Sequence, residues 1–358
     1  MKKILLYIDN MLYGGANRVM ANLANHFSDQ GYEVILINDR PYDKERPGYS
    51  INKKVKRYYL DIEKHLFIVR TMNRLVKLRD IAKKEKTDVI LSFMAGPNIR
   101  MLVATTGLKI KRVVSVRNDP QKEYGLGIKR GLVNLLFRMA DGVVFQTQDA
   151  AAYFSKKIRA KSKVIFNPVN EKFYSKKWQH GGKNIVIVGR LQPQKNPMNA
   201  LRAFTRIAKA IPEYDLVYIG EGELKVELEA YAAQAGISER VHFLGKRDDI
   251  DSILECSAMY VLCSDFEGMP NALMEAMAVG IPVISTDCPC GGPRTLIKEE
   301  LQGVLVPCGR SDLLAEEMER LIKNRDLQLL MSEAERTRAK EFMPQIILTK
   351  WSEYLLNE

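Results

Sequence analysis

The sequence lacks the run of roughly 20 apolar residues that a membrane-spanning helix requires. Its N-terminus is apolar only as far as Ile8, and no small-residue cleavage site follows. We therefore expect a buried first strand there rather than a signal peptide. Together these absences predict a cytoplasmic protein.

Cysteine and histidine are scarce, since the chain has only five cysteines and four histidines. Cys288 and Cys290 are close together, but no second pair stands at metal-ligand spacing, so reduced thiols are expected. A redox role for these two cysteines stays a minor alternative. Asp249 and Asp251 resemble an acidic metal motif, but they lie on a predicted helix. The sequence therefore predicts no metal site.

Acidic residues are few in the first half of the chain. Residues 1–170 carry 32 Lys and Arg against 15 Asp and Glu, a net charge of +17, whereas residues 171–358 carry 23 against 28, a net charge of −5. This asymmetry indicates an anionic partner for the first half: an acidic membrane surface, a phosphate-bearing substrate or nucleic acid. No basic segment interleaved with aromatic residues accompanies the charge, so nucleic acid is not the predicted partner.

Short apolar runs alternate with helical patterns along the whole chain. Continuous Val, Ile and Leu runs are typical of parallel strands that are buried on both faces. In the first half they occupy residues 4–8, 33–38, 88–93, 112–116, 142–146 and 163–166. In the second half they occupy 184–188, 216–219, 241–244, 259–263, 282–285 and 303–306. The predicted helices include 16–30, 65–86, 197–210, 223–235, 250–255, 271–279 and 311–324.

This repetition predicts an α/β protein with two Rossmann-like, doubly wound lobes. The N-terminal lobe is predicted at residues 1–170 and the C-terminal lobe at 184–339, joined by a polar linker at 171–183. Ligands of open α/β sheets bind at the carboxyl ends of the strands, so we expect a binding cleft between the lobes. The architecture alone does not determine the function.

The most informative motif follows the predicted strand at 259–263. The chain turns at residues 268–270, and a helix pattern begins at Asn271. A helix start offers backbone amides and the positive end of a dipole, which suit a phosphate or a sugar hydroxyl. Glu267 and Glu275 flank that start and can accept hydrogen bonds from hydroxyls. Taken singly, each glutamate is equally explained as a favourable charge near a helix N-terminus.

A second motif, residues 188–197, follows the first predicted strand of the C-terminal lobe. It contains Arg190 and Lys195, and Pro197 can begin the next helix. Cations in such a strand-to-helix loop can hold a diphosphate, Arg through a planar fork and Lys as a point charge. Two solvated surface cations are the alternative interpretation.

A third motif, residues 13–18, follows the first strand of the N-terminal lobe and contains Gly14, Gly15 and Arg18. Glycines at a helix start let the backbone approach a ligand closely. The motif is not a dinucleotide fingerprint, which needs a third glycine as well as an acid about 20 residues on. The motif therefore predicts a ligand contact but not a dinucleotide.

In this order, the motifs resemble those of the retaining GT-B glycosyltransferases of family 4, which contain a glycosyl transferases group 1 domain. The most specific element is the pair of glutamates separated by seven residues, Glu267 and Glu275. The Gly-Arg-Leu segment at 189–191, the Gly-Gly-Ala turn at 14–16 and the Asn-Pro-Val segment at 167–169 match as well. The resemblance covers nearly the whole chain and includes transferases that build bacterial surface polysaccharides.

The resemblance implies a role for each motif. The C-terminal lobe would hold a nucleotide sugar, with UDP as the expected nucleotide. No metal or other cofactor would be needed, because fixed cations and helix amides stabilise the leaving diphosphate. The implied catalytic residues are Arg190, Lys195 and Glu267, and the implied donor-binding residues are Gly189, Leu244, Gly268, Met269, Pro270, Asn271 and Glu275. Gly14, Gly15 and Arg18 would line the cleft, and the C-terminal helix at 340–358 would cross back onto the first lobe.

Two positions depart from the family pattern. Many relatives carry a His near the reacting sugar, whereas this sequence has Arg117 and Asn118, which resemble a known variant of the pattern. An Arg can hold a sugar or an acceptor phosphate but is a poor base, so both residues are assigned to the acceptor or sugar side of the cleft. Thr295 stands where many relatives have a Glu that contacts the donor sugar.

The helix pattern at 64–86 is basic and amphipathic. Its apolar residues are Leu66, Val69, Leu75, Leu78 and Ile81, and its cations are Arg70, Arg74, Lys77, Arg79, Lys83, Lys84 and Lys86. Such a helix can lie on anionic lipid, although packing of the apolar face on the sheet is the alternative. Together with the charge of the first half, it predicts a peripheral enzyme at the inner face of the cytoplasmic membrane. Its acceptor would be a glycan linked to a polyprenyl diphosphate.

Three rival functions remain at this point. A two-lobed ligand-binding protein shares the architecture, but such proteins are normally exported. A nucleotide-sugar epimerase or hydrolase of similar form would act on the donor without a glycan acceptor. A nucleic-acid-binding protein would explain the charge, and would respond to salt rather than to sugar nucleotides.

Overall fold

The computed structural model describes residues 2–12, 14–40, 48–60 and 67–357, which form two compact units. Unit 1 comprises Met1–Asn167 and Ile347–Glu358, and unit 2 comprises Pro168–Ile346. Each unit is built on one parallel sheet with helices packed against it. The predicted α/β class with two Rossmann-like halves is confirmed.

The sheet of unit 1 has the order β3-β2-β1-β4-β5-β6-β7, and all described pairs are parallel. Its strands are β1 (Lys3–Ile8), β2 (Glu33–Asn38), β3 (Lys56–Tyr59), β4 (Val89–Phe93), β5 (Lys111–Ser115), β6 (Gly142–Phe145) and β7 (Ser162–Val164). Sequence analysis missed β3. Its sequence is Lys-Arg-Tyr-Tyr, and it is an edge strand of the sheet. An edge strand is less buried than a central strand, so its sequence need not be a continuous apolar run.

The helices of unit 1 are α1 (Gly15–Asp29), α2 (Phe67–Lys84), α3 (Ala95–Ala104), α4 (Pro120–Tyr124), α5 (Ile128–Phe137), α6 (Gln148–Ala152) and α7 (Lys156–Arg159). The helix at the C-terminus, Pro344–Leu356, joins this unit from Ile347 onward. It buries Trp351 completely in a core that includes Leu6 of β1 and Leu23 of α1. The predicted start of α2, including Lys64, His65 and Leu66, lies outside the described residues.

The sheet of unit 2 has the order β10-β9-β8-β11-β12-β13. Its strands are β8 (Asn184–Val188), β9 (Asp215–Ile219), β10 (Val241–Phe243), β11 (Met259–Leu262), β12 (Val283–Thr286) and β13 (Val304–Val306). Its helices are α8 (Glu171–Tyr174), α9 (Pro197–Ile207), α10 (Lys225–Gln234), α11 (Ile250–Glu255), α12 (Asn271–Val279), α13 (Gly292–Leu296), α14 (Ser311–Lys323) and α15 (Arg325–Ala339), and the C-terminal helix is α16. Among the described residues, no helix is both long and apolar enough to cross a bilayer.

Residues 171–183, which the sequence analysis assigned to a linker, belong to unit 2 in the structure. They begin with α8, whose Phe173 is buried. Trp178 is also buried, and its indole Nε1 donates a hydrogen bond to Ser257 O at 2.7 Å. The polar composition of the segment concealed these two aromatic anchors. The chain therefore passes between the units at Asn167 and Pro168.

A buried carboxyl group in unit 2 gives a prediction about stability. Glu335 of α15 is fully buried, and its Oε1 accepts a hydrogen bond from Val283 N at 3.0 Å. Burial raises the pKa of Glu335 well above its usual range. The folded chain therefore keeps this proton over a pH range in which the unfolded chain has lost it. The free energy of unfolding should consequently fall as pH rises from the ordinary Glu range toward the raised pKa.

Glu335→Gln should remove this loss, because the amide keeps an acceptor for Val283 N and cannot ionise. We expect urea unfolding at about pH 5 and about pH 8 to show a smaller loss of stability in the variant than in the parent protein. Glu333→Gln, at an exposed position of the same helix, is the matched control and should keep the parent's pH dependence. Equal losses in all three proteins would contradict the prediction.

Candidate active site

Two loops meet at the carboxyl edge of the unit 2 sheet, because β8 and β11 are neighbours there. The loop after β8 leads to α9, and the loop after β11 leads to α12. Hydrogen bonds join the loops: Asp265 N donates to Gln194 O at 2.9 Å, Gln194 Nε2 donates to Phe266 O at 3.0 Å, and Asn196 Nδ2 donates to Asp265 Oδ1 at 2.8 Å. Two motifs that are about 70 residues apart in the sequence thus form one site, as parallel strands allow.

Lys195 and Glu267 form an ion pair between these loops. Lys195 Nζ donates to Glu267 Oε1, which also accepts a hydrogen bond from Ser264 Oγ at 2.7 Å. The Glu267 side chain is 9% exposed and that of Lys195 is 23% exposed. A carboxylate this deeply buried needs such partners, so the pair fixes both side chains at the edge of the sheet.

Arg190 lies in the loop after β8 with its side chain exposed. A small pocket at this edge is lined by residues at the end of β8, by Arg190 and Lys195, and by Ser264 after β11. The guanidinium offers paired donors and the ammonium a compact charge, which together suit a diphosphate. The structure thus brings the two predicted cations to the same pocket.

The start of α12 borders the same loop. Pro270 is the N-cap residue of the helix, and its side chain makes no capping hydrogen bond. The first backbone amides of α12 therefore have no acceptor inside the helix, and they carry the positive end of its dipole. Gly268 packs closely against Gly292, where an added Cβ would lie 2.0 Å from Gly268 O. Met269 is buried beside them, so the turn before the helix is tightly held.

Glu275 lies one turn into α12 and is 4% exposed. The phenol of Tyr260, in β11, lies close enough to Glu275 and Glu267 to feel both carboxylates. Burial raises the pKa of Tyr260 well above its usual range, and the two glutamates raise it further. Sequence analysis treated Tyr260 only as a strand residue. The influence of both motif glutamates on its phenol could not be predicted without the fold.

Glycine backbones complete the edge of the unit 2 sheet. Gly220 N donates to Gly245 O at 2.8 Å, and Leu244 N donates to Tyr218 O at 2.9 Å. Gly220 has φ +141°, and a Cβ there would lie 2.0 Å from Gly189 O. The ends of β8, β9 and β10 therefore approach one another closely. Leu244 is 43% exposed at this edge, where a flat ligand can lie on it.

Two further residues considered in the sequence analysis, Thr295 and Cys288, lie in unit 2. The Thr295 hydroxyl donates to Gly291 O at 2.6 Å, within its own helix. Cys288 is fully buried as a free thiol, and burial raises its pKa far above the usual range. A buried neutral thiol is unreactive, so the structure does not favour a redox role for it.

In unit 1, Gly14 and Gly15 are exposed at the start of α1. The preceding loop is held by Asn17, whose Nδ2 donates to Asn10 Oδ1 at 2.9 Å and to Leu12 O at 2.7 Å. Arg18 is half-buried in the first turn, and its N donates to Gly14 O at 2.9 Å. The glycines thus present backbone at a helix start, as expected. Tyr13 lies outside the described residues.

Arg117 lies at the carboxyl end of β5 and is 7% exposed. Its guanidinium lies over the Phe93 ring, 4.4 Å from the centroid, and donates to Asn167 Oδ1. Its Nε has no hydrogen-bond partner among the described residues. Burial lowers the pKa of Arg117 to about 9. The Arg117 guanidinium is therefore shielded from water, although not all of its N–H groups donate a hydrogen bond within the protein.

Glu123, on α4, is an additional site residue that sequence analysis missed. Burial raises its pKa to about 7, although the nearby Arg117 charge opposes the shift. Within the described part of the chain, Glu123 Oε2 and Asn118 Oδ1 are both buried without a hydrogen-bond partner. The edge of the unit 1 sheet thus combines unused acceptors with the unused donor of Arg117. This mixture suits sugar hydroxyls, which both donate and accept.

No group of three or more His, Cys, Asp or Glu side chains in the described residues is arranged to hold a metal ion. The expectation that the protein works without a metal stays a prediction.

Two family models match the chain. The model described as Glycosyltransferase Family 4 matches residues 13–173, and the model described as Glycosyl transferases group 1 matches residues 169–338. The chain belongs to these glycosyltransferases. The N-terminal model spans the Gly14 and Arg117 motifs, and the C-terminal model spans the site around Lys195 and Glu267.

Two of the following three curated relatives cover nearly the whole chain. An α-1,4-N-acetyl-D-galactosaminyltransferase of Campylobacter jejuni, named for a GalNAc-containing undecaprenol diphosphate acceptor, is 27% identical over 98% of this chain and 97% of its own. The amylovoran biosynthesis glycosyltransferase AmsD of Erwinia amylovora is 23% identical over 99% of this chain and 100% of its own. An Escherichia coli UDP-Gal:α-D-GlcNAc-diphosphoundecaprenol α-1,3-galactosyltransferase is 35% identical over 40% of this chain and 38% of its own.

Solved structures share the fold over the whole chain. The Anabaena HepE protein in complex with UDP and glucose has a TM-score of 0.82 at 18% identity, with 100% of both chains covered. The lipopolysaccharide outer core galactosyltransferase WaaB has a TM-score of 0.77 at 20% identity, with 100% of this chain and 99% of that chain covered. The fold is therefore the GT-B type of these glycosyltransferases.

Gly220 provides a test of the close approach at the edge of the unit 2 sheet. Gly220→Ala should destabilise the protein by about 3 kcal/mol, because it combines backbone strain with a collision against Gly189 O. Gly236→Ala is the matched control: its φ is also positive, at +70°, but its Cβ meets no described atom within 4 Å. The control should cost only about 1 kcal/mol in urea unfolding. Equal losses in the two variants would rule out the collision.

Proposed function

We propose that this glycosyltransferase moves a sugar from a UDP-sugar to a lipid-linked glycan, with retention of configuration, in the synthesis of a bacterial surface polysaccharide or related glycan. The observation that supports this most is that Arg190, Lys195, Glu267 and the start of α12 all lie at one edge of the unit 2 sheet. Two cations and the amides of a helix start at one sheet edge suit a sugar nucleotide.

The donor would lie along this edge with its diphosphate at Arg190 and Lys195. The amides at the start of α12 would add donors to the phosphate or the sugar. Glu275 would accept the ribose hydroxyls, and the base would lie against Leu244. These donors and cations supply the stabilisation for which other transferases use a divalent ion, so the reaction is proposed to need none.

The chemistry follows from the charge that develops on the leaving group. As the glycosidic bond to the diphosphate breaks, Arg190 and Lys195 stabilise the new negative charge. A bound diphosphate would replace Glu267 as the ion-pair partner of the Lys195 ammonium. The Glu267 carboxylate could then accept hydrogen bonds from hydroxyls of the donor sugar. The acceptor hydroxyl attacks the same face that the diphosphate leaves, and its proton passes to the departing phosphate oxygen. One sugar is transferred and UDP is released, with retention.

The acceptor glycan is assigned to unit 1. Arg117, Asn118 and Glu123 offer both donors and acceptors at the carboxyl edge of that sheet, which favours sugar hydroxyls over a phosphate. Gly14, Gly15 and Arg18 are proposed to contact the reacting sugars. The undecaprenyl diphosphate acceptors named for two relatives support a lipid-linked acceptor, and the +17 charge of residues 1–170 supports an anionic membrane nearby.

Calorimetric binding of UDP, GDP and ADP in EDTA tests the donor site. We expect UDP to bind without metal and to bind at least about tenfold more weakly to Arg190→Ala and Lys195→Ala, because each variant loses a charge-assisted contact. Arg320→Ala and Lys323→Ala, which remove cations from α14, are the controls and should bind UDP normally. Binding that required a divalent ion, or that survived both site variants, would exclude the proposed site. UDP release without any acceptor would favour a hydrolase instead.

Glu123→Gln tests the acceptor assignment through its pH dependence. The ionised carboxylate accepts a hydroxyl better than the acid does. Because the pKa of Glu123 is raised to about 7, the KM for the acceptor should fall as pH rises through neutrality. Glu123→Gln should raise that KM about tenfold and abolish its pH dependence, while the KM for UDP-sugar stays unchanged. Matching acceptor KM profiles in both proteins would contradict the assignment.

A further inference from the structure

Helix α5 turns large apolar side chains toward solvent. It buries Val133 and Phe137, but Ile128 is 84% exposed, Leu132 62% and Leu135 61%. These three positions recur at helical spacing, so they form a continuous ridge along one side of the helix. Leu126, just before the helix, is 61% exposed as well. A soluble surface helix normally shows the opposite arrangement.

Helix α2 carries a second ridge of the same kind. Ile68 is 74% exposed, and Met72 and Val76 are each 55% exposed, at spacings of four residues. None of these three residues belongs to the apolar face predicted from the sequence, of which Leu78 is fully buried and Val69 is 43% exposed. α2 is therefore apolar on two sides, one of which packs in unit 1 and one of which is open.

The two ridges belong to one layer, because α3 packs against both α2 and α5. In the described part of unit 1, the exposed large apolar side chains all lie in this layer or in the turn before α5. They are Ile68, Val69, Met72, Val76, Val103, Leu126, Ile128, Leu132 and Leu135. We refer to these nine side chains as the apolar layer surface. Clustered exposure of this kind marks an interaction site.

The charges around the apolar layer surface are mostly positive. Residues 125–140 contain Lys129, Arg130 and Arg138 and no Asp or Glu. α2 contains six Lys and Arg against the single acid Asp80, and five of the six remain for the surface because Arg74 is buried in an ion pair with Asp39. The fitting partner is therefore apolar inside and anionic at its surface, which describes an acidic lipid bilayer.

We propose that unit 1 docks on an anionic bilayer through the apolar layer surface, with the ridges of α2 and α5 inserted at the level of the headgroups and the flanking cations on the phosphates. The inference rests on the proposed function only in that the acceptor is lipid-linked. A second copy of the chain is the weaker candidate, because it would bring the same cations against one another.

Vesicle flotation of the full chain tests this docking. The protein should bind vesicles that contain phosphatidylglycerol more tightly than vesicles of phosphatidylcholine alone, and high salt should weaken that binding. The combined variant Ile128→Ser, Leu132→Ser and Leu135→Ser should bind the anionic vesicles at least tenfold more weakly. The matched control is Val226→Ser, Leu329→Ser and Leu330→Ser, which removes exposed apolar groups of unit 2 and should bind normally.

A tryptophan reporter locates the ridge in the bilayer. The native Trp178 and Trp351 are buried, so their emission should change little on docking. Leu132→Trp should shift its emission to the blue with anionic vesicles and be quenched by brominated lipid, whereas Leu330→Trp should do neither. This readout does not depend on catalysis.

Each outcome decides the proposal. Parent-like flotation of the α5 variant, or no preference of the parent for anionic vesicles, would overturn it. Sedimentation that shows a parent dimer and an α5-variant monomer would assign the surface to a second copy instead. UDP binding and transfer to a short water-soluble acceptor should be normal in the α5 variant. If the parent protein neither binds UDP nor transfers a sugar, the proposed function is wrong, but the docking proposal is unaffected.

Discussion

The ion pair between Lys195 and Glu267 is the contact on which the site in unit 2 depends. It joins the loops that follow two neighbouring strands, β8 and β11, and it holds both side chains at the carboxyl edge of the sheet. Because the carboxylate is buried, loss of either partner would leave an uncompensated charge and loosen both loops. The same pair holds an ammonium beside Arg190, where a diphosphate can exchange places with Glu267. The local structure and the proposed chemistry therefore depend on the same contact.

The two units share one architecture, and the proposal assigns them different ligands. In unit 2, backbone amides, glycine backbones and two cations suit an anionic nucleotide, and the net charge of residues 171–358 is negative. In unit 1, the edge of the sheet combines Arg117 with the carboxyl group of Glu123, which suits neutral hydroxyls better than phosphate. The cations of α2 and of residues 125–140 accompany the apolar layer surface instead. Donor, glycan and lipid are thus assigned to separate surfaces.

Most strands and the donor motifs were predictable because their signals are local. Buried parallel strands are continuous apolar runs, and α12 begins at Asn271 as its turn and helix pattern indicate. β3 was missed because an edge strand needs no apolar run, and residues 171–183 concealed Phe173 and Trp178 in a polar segment. Tyr260, Glu123 and the ridge of α5 could not be predicted, since their importance depends on burial and exposure that only the folded chain determines.

The most direct test of the central claim is a crystal structure of the protein with UDP bound in the absence of metal. The account predicts that diphosphate oxygens lie within about 3 Å of Lys195 Nζ and of the Arg190 guanidinium, and that Lys195 has moved from Glu267 toward them. The ribose should lie at Glu275. A diphosphate bound elsewhere, with the Lys195–Glu267 pair intact, would contradict the account.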